Sequence, residues 1–123
     1  MLSKNEIKQI VEIREFESQL NIFFGKGYVN GTTHTSVGQE DIAIIMSKLI
    51  DKKNDMVFSN HRCHAHYLSL SQDYEGLLYE ILGKEGGVCG GLGGSQHLCN
   101  GYFFSSGILG SGFPIAVGAS LAK

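Results

Sequence analysis

The first part of the chain has the polar and apolar spacing of an amphipathic helix. Apolar residues recur at roughly helical intervals between Ile7 and Phe24, and charged residues fill most of the opposite face. Ser3 followed by Glu6 forms a capping-box pattern at the start, and glycines follow directly after the last apolar residues. We therefore predict a helix over residues 4–24 whose role is packing or subunit contact.

A second helix is predicted over residues 37–50. Ser36 and Gln39 repeat the capping-box spacing at its start. Its apolar face consists of Ile42, Ile45, Met46 and Leu49. His34 then lies in a loop just ahead of a helix N-terminus, where backbone N–H groups point outward. Local evidence alone favours an ordinary loop histidine at this position.

Shorter elements complete the pattern. A strand over residues 56–59 leads into a helix, and Asp73 begins another helix that ends at Leu82. Pro114 suits the first turn of a last helix made mainly of small residues. That helix has no stop signal before Lys123, so we expect a truncation there. Helices with one or two short strands favour the first part of an α/β domain over a complete fold.

Residues 83–112 stand apart from these periodic segments. They hold eleven of the seventeen glycines of the chain, together with large apolar side chains that a flexible linker lacks. Glycine used in this way indicates backbone at positive φ or backbone pressed close against a neighbour. The stretch is therefore predicted to be a binding loop, with an irregular, partly disordered surface loop as the alternative.

Composition excludes several classes of function. The chain has 123 residues, 42% of them hydrophobic, which indicates one small domain with a core. Its formal net charge of -2 indicates no basic surface for nucleic acid or an anionic membrane. Its polar start lacks the apolar segment of a signal peptide, and the apolar run over residues 107–122 is too short for a comfortable membrane span. Three cysteines form no disulfide framework. A cytoplasmic location is expected.

The densest cluster of ionisable residues is the segment NHRCHAH. One interpretation is a metal site, because histidine and thiolate are ligands of zinc and iron. Its ligands would be His61, Cys63, His64, His97 and Cys99. The spacing contains no C-x-x-C or H-x-x-x-H pair, which argues against a metal. The second interpretation is anion recognition, since the fork of donors on Arg62 suits phosphate and neighbouring histidines can donate. An ordinary surface ion pair of this arginine remains open.

Several motifs in a fixed order resemble one family. The segments SNHRCHAHYL, GKEGGVCGGLGGSQHLC and SSGILGSGFPIAVGASLAK resemble the alpha subunit, or first component, of the thiamine-diphosphate-dependent 2-oxo acid dehydrogenases (pyruvate, branched-chain 2-oxo acid and acetoin dehydrogenases). The resemblance covers the chain from about Phe23 onward. It implies an α/β fold: the N-terminal, mostly helical portion of a thiamine-diphosphate-binding α/β/α fold, incomplete in this chain. Residues 1–123 would form this partial domain, with residues 1–24 as its N-terminal helix.

The resemblance implies decarboxylation of a 2-oxo acid, or cleavage of acetoin, with passage of the acyl group to lipoamide. His34 matches a histidine near the reacting substrate, and His64 matches a second family histidine, so both are assigned as catalytic. His61 and Arg62 stand where the family has a Tyr-Arg pair that binds the diphosphate of the cofactor. The histidine departs from the usual tyrosine but keeps a donor there.

Two further residues are implied to bind the cofactor. Gly107 would line the aminopyrimidine ring through backbone groups, and Leu109 would be the bulky residue that holds the cofactor in a bent form. The implied cofactors are thiamine diphosphate and Mg²⁺. The metal ligands of the family, a Gly-Asp-Gly motif and a downstream asparagine, are expected beyond residue 123, so no metal ligand is assigned here.

The implied partners are the beta subunit of the same dehydrogenase in a heterotetramer, or a fused second half. A lipoyl-bearing acyltransferase component and a small 2-oxo acid substrate complete the set, with no nucleic acid and no membrane. The isolated chain is expected to be inactive. The alternatives are a small His/Cys metal-binding module, an inactive truncated remnant, and a thiamine-diphosphate enzyme that does not use lipoamide.

Overall fold

The computed structural model describes residues 2–123, which contain five helices and two short strands. In chain order these are α1 (Lys4–Gly25), α2 (Glu40–Ser47), β1 (Val57–Ser59), α3 (His64–Ser71), α4 (Tyr74–Ile81), β2 (Phe103–Ser105) and α5 (Gly112–Ala122). The two strands pair in parallel, with Val57 opposite Phe103 and Ser59 opposite Ser105. The expected mixed, mostly helical α/β arrangement is confirmed to this extent, and the division into a partial domain with an N-terminal helix stays a prediction.

Helix α1 forms as its local pattern predicts. The Ser3 hydroxyl accepts a hydrogen bond from the Glu6 backbone N–H at 3.3 Å, and the Glu6 carboxylate accepts one from the Ser3 N–H at 2.5 Å. This is the capping box expected from the sequence. Ile13 and Leu20 are buried on its inner face. Glu17, which lies between them on the same face, is also fully buried.

Helix α2 differs from its prediction. It begins only at Glu40, and Gln39 precedes it without a side-chain cap, so the second capping box is wrong. The Ser36 hydroxyl is bonded elsewhere, to Glu17 on α1 and to a backbone N–H of α3. Ala43 and Ile44 pack inward. The predicted apolar face faces away from the core, with all four of its residues exposed (Ile42, Ile45, Met46 and Leu49).

The core lies between the helices and the inner face of the two strands. Phe103 on β2 is fully buried and meets the ring of Tyr67 edge to face at 5.5 Å. Leu77 on α4 is buried in the same core. The side chain of Asp73 accepts from the Gly76 N–H at 2.8 Å, which confirms the predicted start of α4.

Helix α5 lies on the outside of the strands. Pro114 is in its first turn, as predicted, and none of its residues is buried. An apolar groove of about 520 Å³ runs along β1, between α5 on one side and α2 and α3 on the other. β1 is paired with β2 along one edge only. Among residues 2–123, no helix combines the length and the apolar character needed to cross a membrane.

Candidate functional site

Three of the predicted site residues meet where β1 ends and α3 begins. The rings of His34 and His61 pack edge to face with 4.9 Å between their centres. The Arg62 backbone N–H donates to the side-chain oxygen of Asn60 at 2.8 Å, which shapes the turn between the two elements. The Arg62 guanidinium donates to the carbonyl of Thr35 at 2.6 Å and thereby joins this turn to the loop that carries His34.

This cluster contains polar atoms that lack a partner in the structure. The Nδ1 atom of His61 and the hydroxyl of Thr33 are buried and make no hydrogen bond. Within residues 2–123, Arg62 forms no ion pair with a carboxylate, so the ordinary ion-pair interpretation has no support there. Buried polar atoms are nearly always satisfied in folded proteins. A cation beside unpaired polar atoms fits the recognition of an anion such as phosphate.

Gly107 reaches the same cluster through Gln96. A Cβ atom on Gly107 would overlap the side-chain oxygen of Gln96, so a larger residue would require the Gln96 side chain to move. The amide nitrogen of Gln96 donates to the Thr32 carbonyl at 2.9 Å and lies 3.4 Å from Nδ1 of His34. Sequence reasoning missed Gln96, although a polar residue that follows a run of glycines was a signal available to it.

Leu109 is placed apart from the histidines. Its side chain is 74% exposed, and it lines the apolar groove beside β1 together with Ile108 and Asn60. Because Asn60 also shapes the turn before Arg62, the groove and the polar cluster adjoin at the end of β1.

His64 is the first residue of α3, two residues after Arg62, and is fully buried. Its Nδ1 atom is 3.0 Å from the carboxylate of Glu17, and its Nε2 atom is 3.0 Å from the carbonyl and 2.9 Å from the hydroxyl of Ser95. Burial alone raises the pKa of Glu17, but the hydrogen bonds and charge of His64, with hydrogen bonds from Ser36, outweigh it and hold that pKa below its usual value. Both ring nitrogens of His64 are thus engaged inside the protein.

The metal-binding alternative is not supported. Residues 2–123 contain no group of three or more histidine, cysteine, aspartate or glutamate side chains arranged to hold a metal ion. Cys63 is buried with its thiol directed at the Ser95 carbonyl, and burial raises its pKa to about 11. A thiol of this kind stays protonated near neutral pH and is a poor ligand.

A second buried carboxylate shapes the glycine-rich stretch. Glu80 on α4 is fully buried. Its two oxygens accept hydrogen bonds from the backbone N–H groups of Cys89 (2.5 Å), Gly91 (2.9 Å), Gly93 (2.6 Å) and Gly94 (3.2 Å). Sequence reasoning missed both Glu80 and Glu17, yet each lies at helical spacing on the same face as buried apolar residues. We call residues 83–98 the glycine loop.

Comparison with known proteins gives a consistent result. The profile of the family described as "Dehydrogenase E1 component" matches residues 8–123. The alpha subunit of acetoin:2,6-dichlorophenolindophenol oxidoreductase from Cupriavidus necator is 40% identical over 114 residues, which cover 89% of this chain and 34% of the relative. The corresponding subunit from Bacillus subtilis is 36% identical, over 93% of this chain and 35% of the relative.

A relative with another name aligns over a similar share of the chain. The pyruvate dehydrogenase E1 component subunit alpha from Rickettsia typhi is 33% identical over 119 residues, which cover 94% of this chain and 36% of the relative. The chain thus spans about a third of the length of the curated relatives it matches. The family match extends over most of the chain, and the resemblance drawn from its motifs is confirmed: the chain belongs to the dehydrogenase E1 component family.

Proposed function

We propose that this chain forms the N-terminal part of the alpha subunit of a thiamine-diphosphate-dependent 2-oxo acid dehydrogenase. The whole enzyme would be an oxidoreductase that decarboxylates a 2-oxo acid, or cleaves acetoin, and passes the acyl group to lipoamide. The observation that carries the proposal is the cluster of His34, His61 and Arg62, with its unpaired buried atoms, in a chain of the E1 family.

The donor set fits the diphosphate of the cofactor. Arg62 supplies a cation that no carboxylate neutralises in the part of the chain that the structure describes. The neighbouring His61 has a ring nitrogen with no partner inside the protein, so it is available to an anionic oxygen. We assign both residues to the diphosphate. Gly107, which has no Cβ to block its backbone, would contact the pyrimidine ring, and Leu109 would support the bent form.

The cofactor, when bound, supplies the carbon centre at which a 2-oxo acid loses carbon dioxide. His34 is assigned to the reacting substrate, because it is half-buried and sits directly against His61. A single arginine leaves most of the charge of a diphosphate uncompensated, so we expect Mg²⁺ with ligands outside these 123 residues. The partners are a beta subunit, or a fused second half, and a lipoyl-bearing acyltransferase. A cytoplasmic location stays a prediction.

Anion binding by Arg62 can be tested with inorganic pyrophosphate, thiamine diphosphate and thiamine monophosphate. Isothermal titration calorimetry on the 123-residue chain should show weak binding of the first two ligands and weaker binding of the third. Arg62→Gln should abolish the binding. Lys26→Gln, which removes an equal charge from an exposed position outside the site, should leave it unchanged.

Two outcomes would contradict the proposal in different ways. Equal binding of pyrophosphate by the Arg62→Gln and Lys26→Gln variants would remove Arg62 from the diphosphate site. Tight, magnesium-dependent binding of thiamine diphosphate by the chain alone would show that the metal ligands lie within these 123 residues.

A further inference from the structure

We propose that Glu17, Ser36, His64 and Ser95 form a single buried positioning unit for the candidate site. We call these four residues the Glu17 network. In this unit His64 is a positioning residue that does not touch substrate or cofactor. The inference rests on the proposed function for the identity of the site, but its geometry and its principal test do not involve a cofactor.

The network is buried. Glu17 and His64 are fully inaccessible to solvent, and Ser36 and Ser95 are 1% and 7% exposed. One oxygen of the Glu17 carboxylate accepts hydrogen bonds from the backbone N–H of Ser36 at 2.9 Å and from the Ser36 hydroxyl at 2.6 Å. The other oxygen lies 3.0 Å from Nδ1 of His64. A buried carboxylate is tolerated only when it is paired and hydrogen-bonded in this way.

The ring of His64 is oriented by an acceptor at each end. Nδ1 faces the Glu17 carboxylate, and Nε2 faces both the backbone carbonyl and the hydroxyl of Ser95. The ring is therefore held at both ends by groups inside the protein. Since both nitrogens are bonded to protein groups and no atom of His64 reaches solvent, His64 has no path to a substrate.

Each end of the network lies next to a segment of the candidate site. Ser36 is two residues after His34, His64 is two residues after Arg62, and Ser95 directly precedes Gln96. Three separate parts of the chain are thus joined to the Glu17 carboxylate on helix α1, the Ser95 segment through the ring of His64.

Further hydrogen bonds keep these three segments in register. The backbone N–H of Ala65 donates to the Ser36 hydroxyl at 3.0 Å, and the Cys63 thiol donates to the Ser95 carbonyl at 3.4 Å. A shift of the start of α3 would therefore move the loop that carries His34 and the end of the glycine loop together. This coupling is what distinguishes a positioning unit from an isolated buried ion pair.

The test compares Glu17→Gln with Glu15→Gln by hydrogen–deuterium exchange and mass spectrometry. Both variants make the same chemical change on α1, but Glu15 is exposed and bonds only to Gln19. Glu17→Gln should speed exchange over residues 32–36 and 93–97 by about tenfold or more, because local opening exposes those amides. Amides over residues 76–81 on α4 should keep their wild-type rates, and Glu15→Gln should change neither region.

A spectroscopic measurement removes the ambiguity of a purely structural effect. Nitrogen-15 NMR of the histidine rings should show that the His64 signals shift in Glu17→Gln, because Nδ1 loses its carboxylate partner, and keep their wild-type positions in Glu15→Gln. Ser95→Ala, which keeps the carbonyl and removes only the hydroxyl, should loosen residues 93–97 alone. If Glu17→Gln does not fold, the exchange rates of residues 93–97 in the milder Ser95→Ala variant test the proposal instead.

The proposal is overturned if Glu17→Gln accelerates exchange uniformly, if it behaves like Glu15→Gln, or if the His64 ring signals are the same in the wild type and in Glu17→Gln. None of these measurements contains an anionic ligand, so they succeed or fail separately from the pyrophosphate titration. An intact Glu17 network in a chain that does not bind pyrophosphate would contradict the proposed function and leave the network standing.

Discussion

The replacement Glu80→Gln removes one charge from the centre of the glycine loop while keeping the size of the side chain. The carboxylate accepts four backbone N–H groups, two on each oxygen. The amide that replaces it has one oxygen, and its NH₂ group must face the other two donors. A buried donor without an acceptor costs about 1–3 kcal/mol, so two of them cost about 2–6 kcal/mol.

Relaxation of the loop toward solvent favours the lower half of that range. We therefore expect the free energy of unfolding to fall by about 3 kcal/mol, a large part of the roughly 5–15 kcal/mol typical of a small domain. The assay is urea unfolding followed by far-ultraviolet circular dichroism, with linear extrapolation to water. Glu85→Gln is the matched control, because Glu85 is exposed in the same loop, and it should lose less than about 0.5 kcal/mol.

Limited proteolysis locates the effect. In Glu80→Gln, cleavage after Lys84 should become faster than in the wild type, because this lysine lies in the loop that Glu80 holds. Equal unfolding free energies for Glu80→Gln and Glu85→Gln would refute the reasoning, since the four hydrogen bonds would then contribute nothing measurable. A large loss without faster cleavage of the loop would show that Glu80 stabilises α4 instead.

Three further predictions follow from burial, charge and backbone conformation. The pKa of Glu17 lies below its usual 4.5, so its ionised form stabilises the fold above that pH. The difference in unfolding free energy between wild type and Glu17→Gln, measured with urea, should therefore shrink as the pH falls below 4.5. Gly91→Ala should destabilise the chain far more than Gly94→Ala in thermal melts. Both glycines have positive φ, which costs an alanine about 1–2 kcal/mol at either position. Of the two, only Gly91 has backbone atoms 2.6 Å from where the added Cβ would lie. Equal losses of stability in the two variants would contradict this reasoning. A disulfide reagent should modify the exposed Cys99 well before Cys63, because Cys63 is buried and its burial raises the pKa of the thiol to about 11. Mass spectrometry gives the order of labelling, and simultaneous labelling of the two cysteines would contradict the prediction.

Elements with short-range signals could be predicted from the sequence. The capping box of α1 joins residues three apart, and the Asp73 cap of α4 likewise reaches Gly76. Such contacts depend on neighbouring residues alone, so the pattern contains all of the information. The order of motifs also predicted the family, because several spaced segments are more specific than any one of them.

Predictions failed where a partner is distant along the chain. Ser36 has the spacing of a helix cap, but its hydroxyl bonds to Glu17, nineteen residues earlier, and α2 starts later as a result. The apolar residues of α2 have helical spacing, yet Ala43 and Ile44 are the ones that pack inward. Periodicity predicts that a helix has an apolar face and does not determine which face a neighbouring helix covers.

The glycine loop has a physical origin that its composition alone did not indicate. A segment with few side chains cannot be held by side-chain packing, so its backbone N–H groups must find acceptors. Glu80 supplies them, and that requires the loop to pass close to α4. A Cβ on Gly87 would lie 2.6 Å from the Cα of Glu80, and one on Gly93 would lie 3.2 Å from its carboxylate and collide with the His97 carbonyl. Several of these glycines are therefore required because the loop passes so close to Glu80. The backbone of the glycine loop is thus fixed by Glu80 before any cofactor binds.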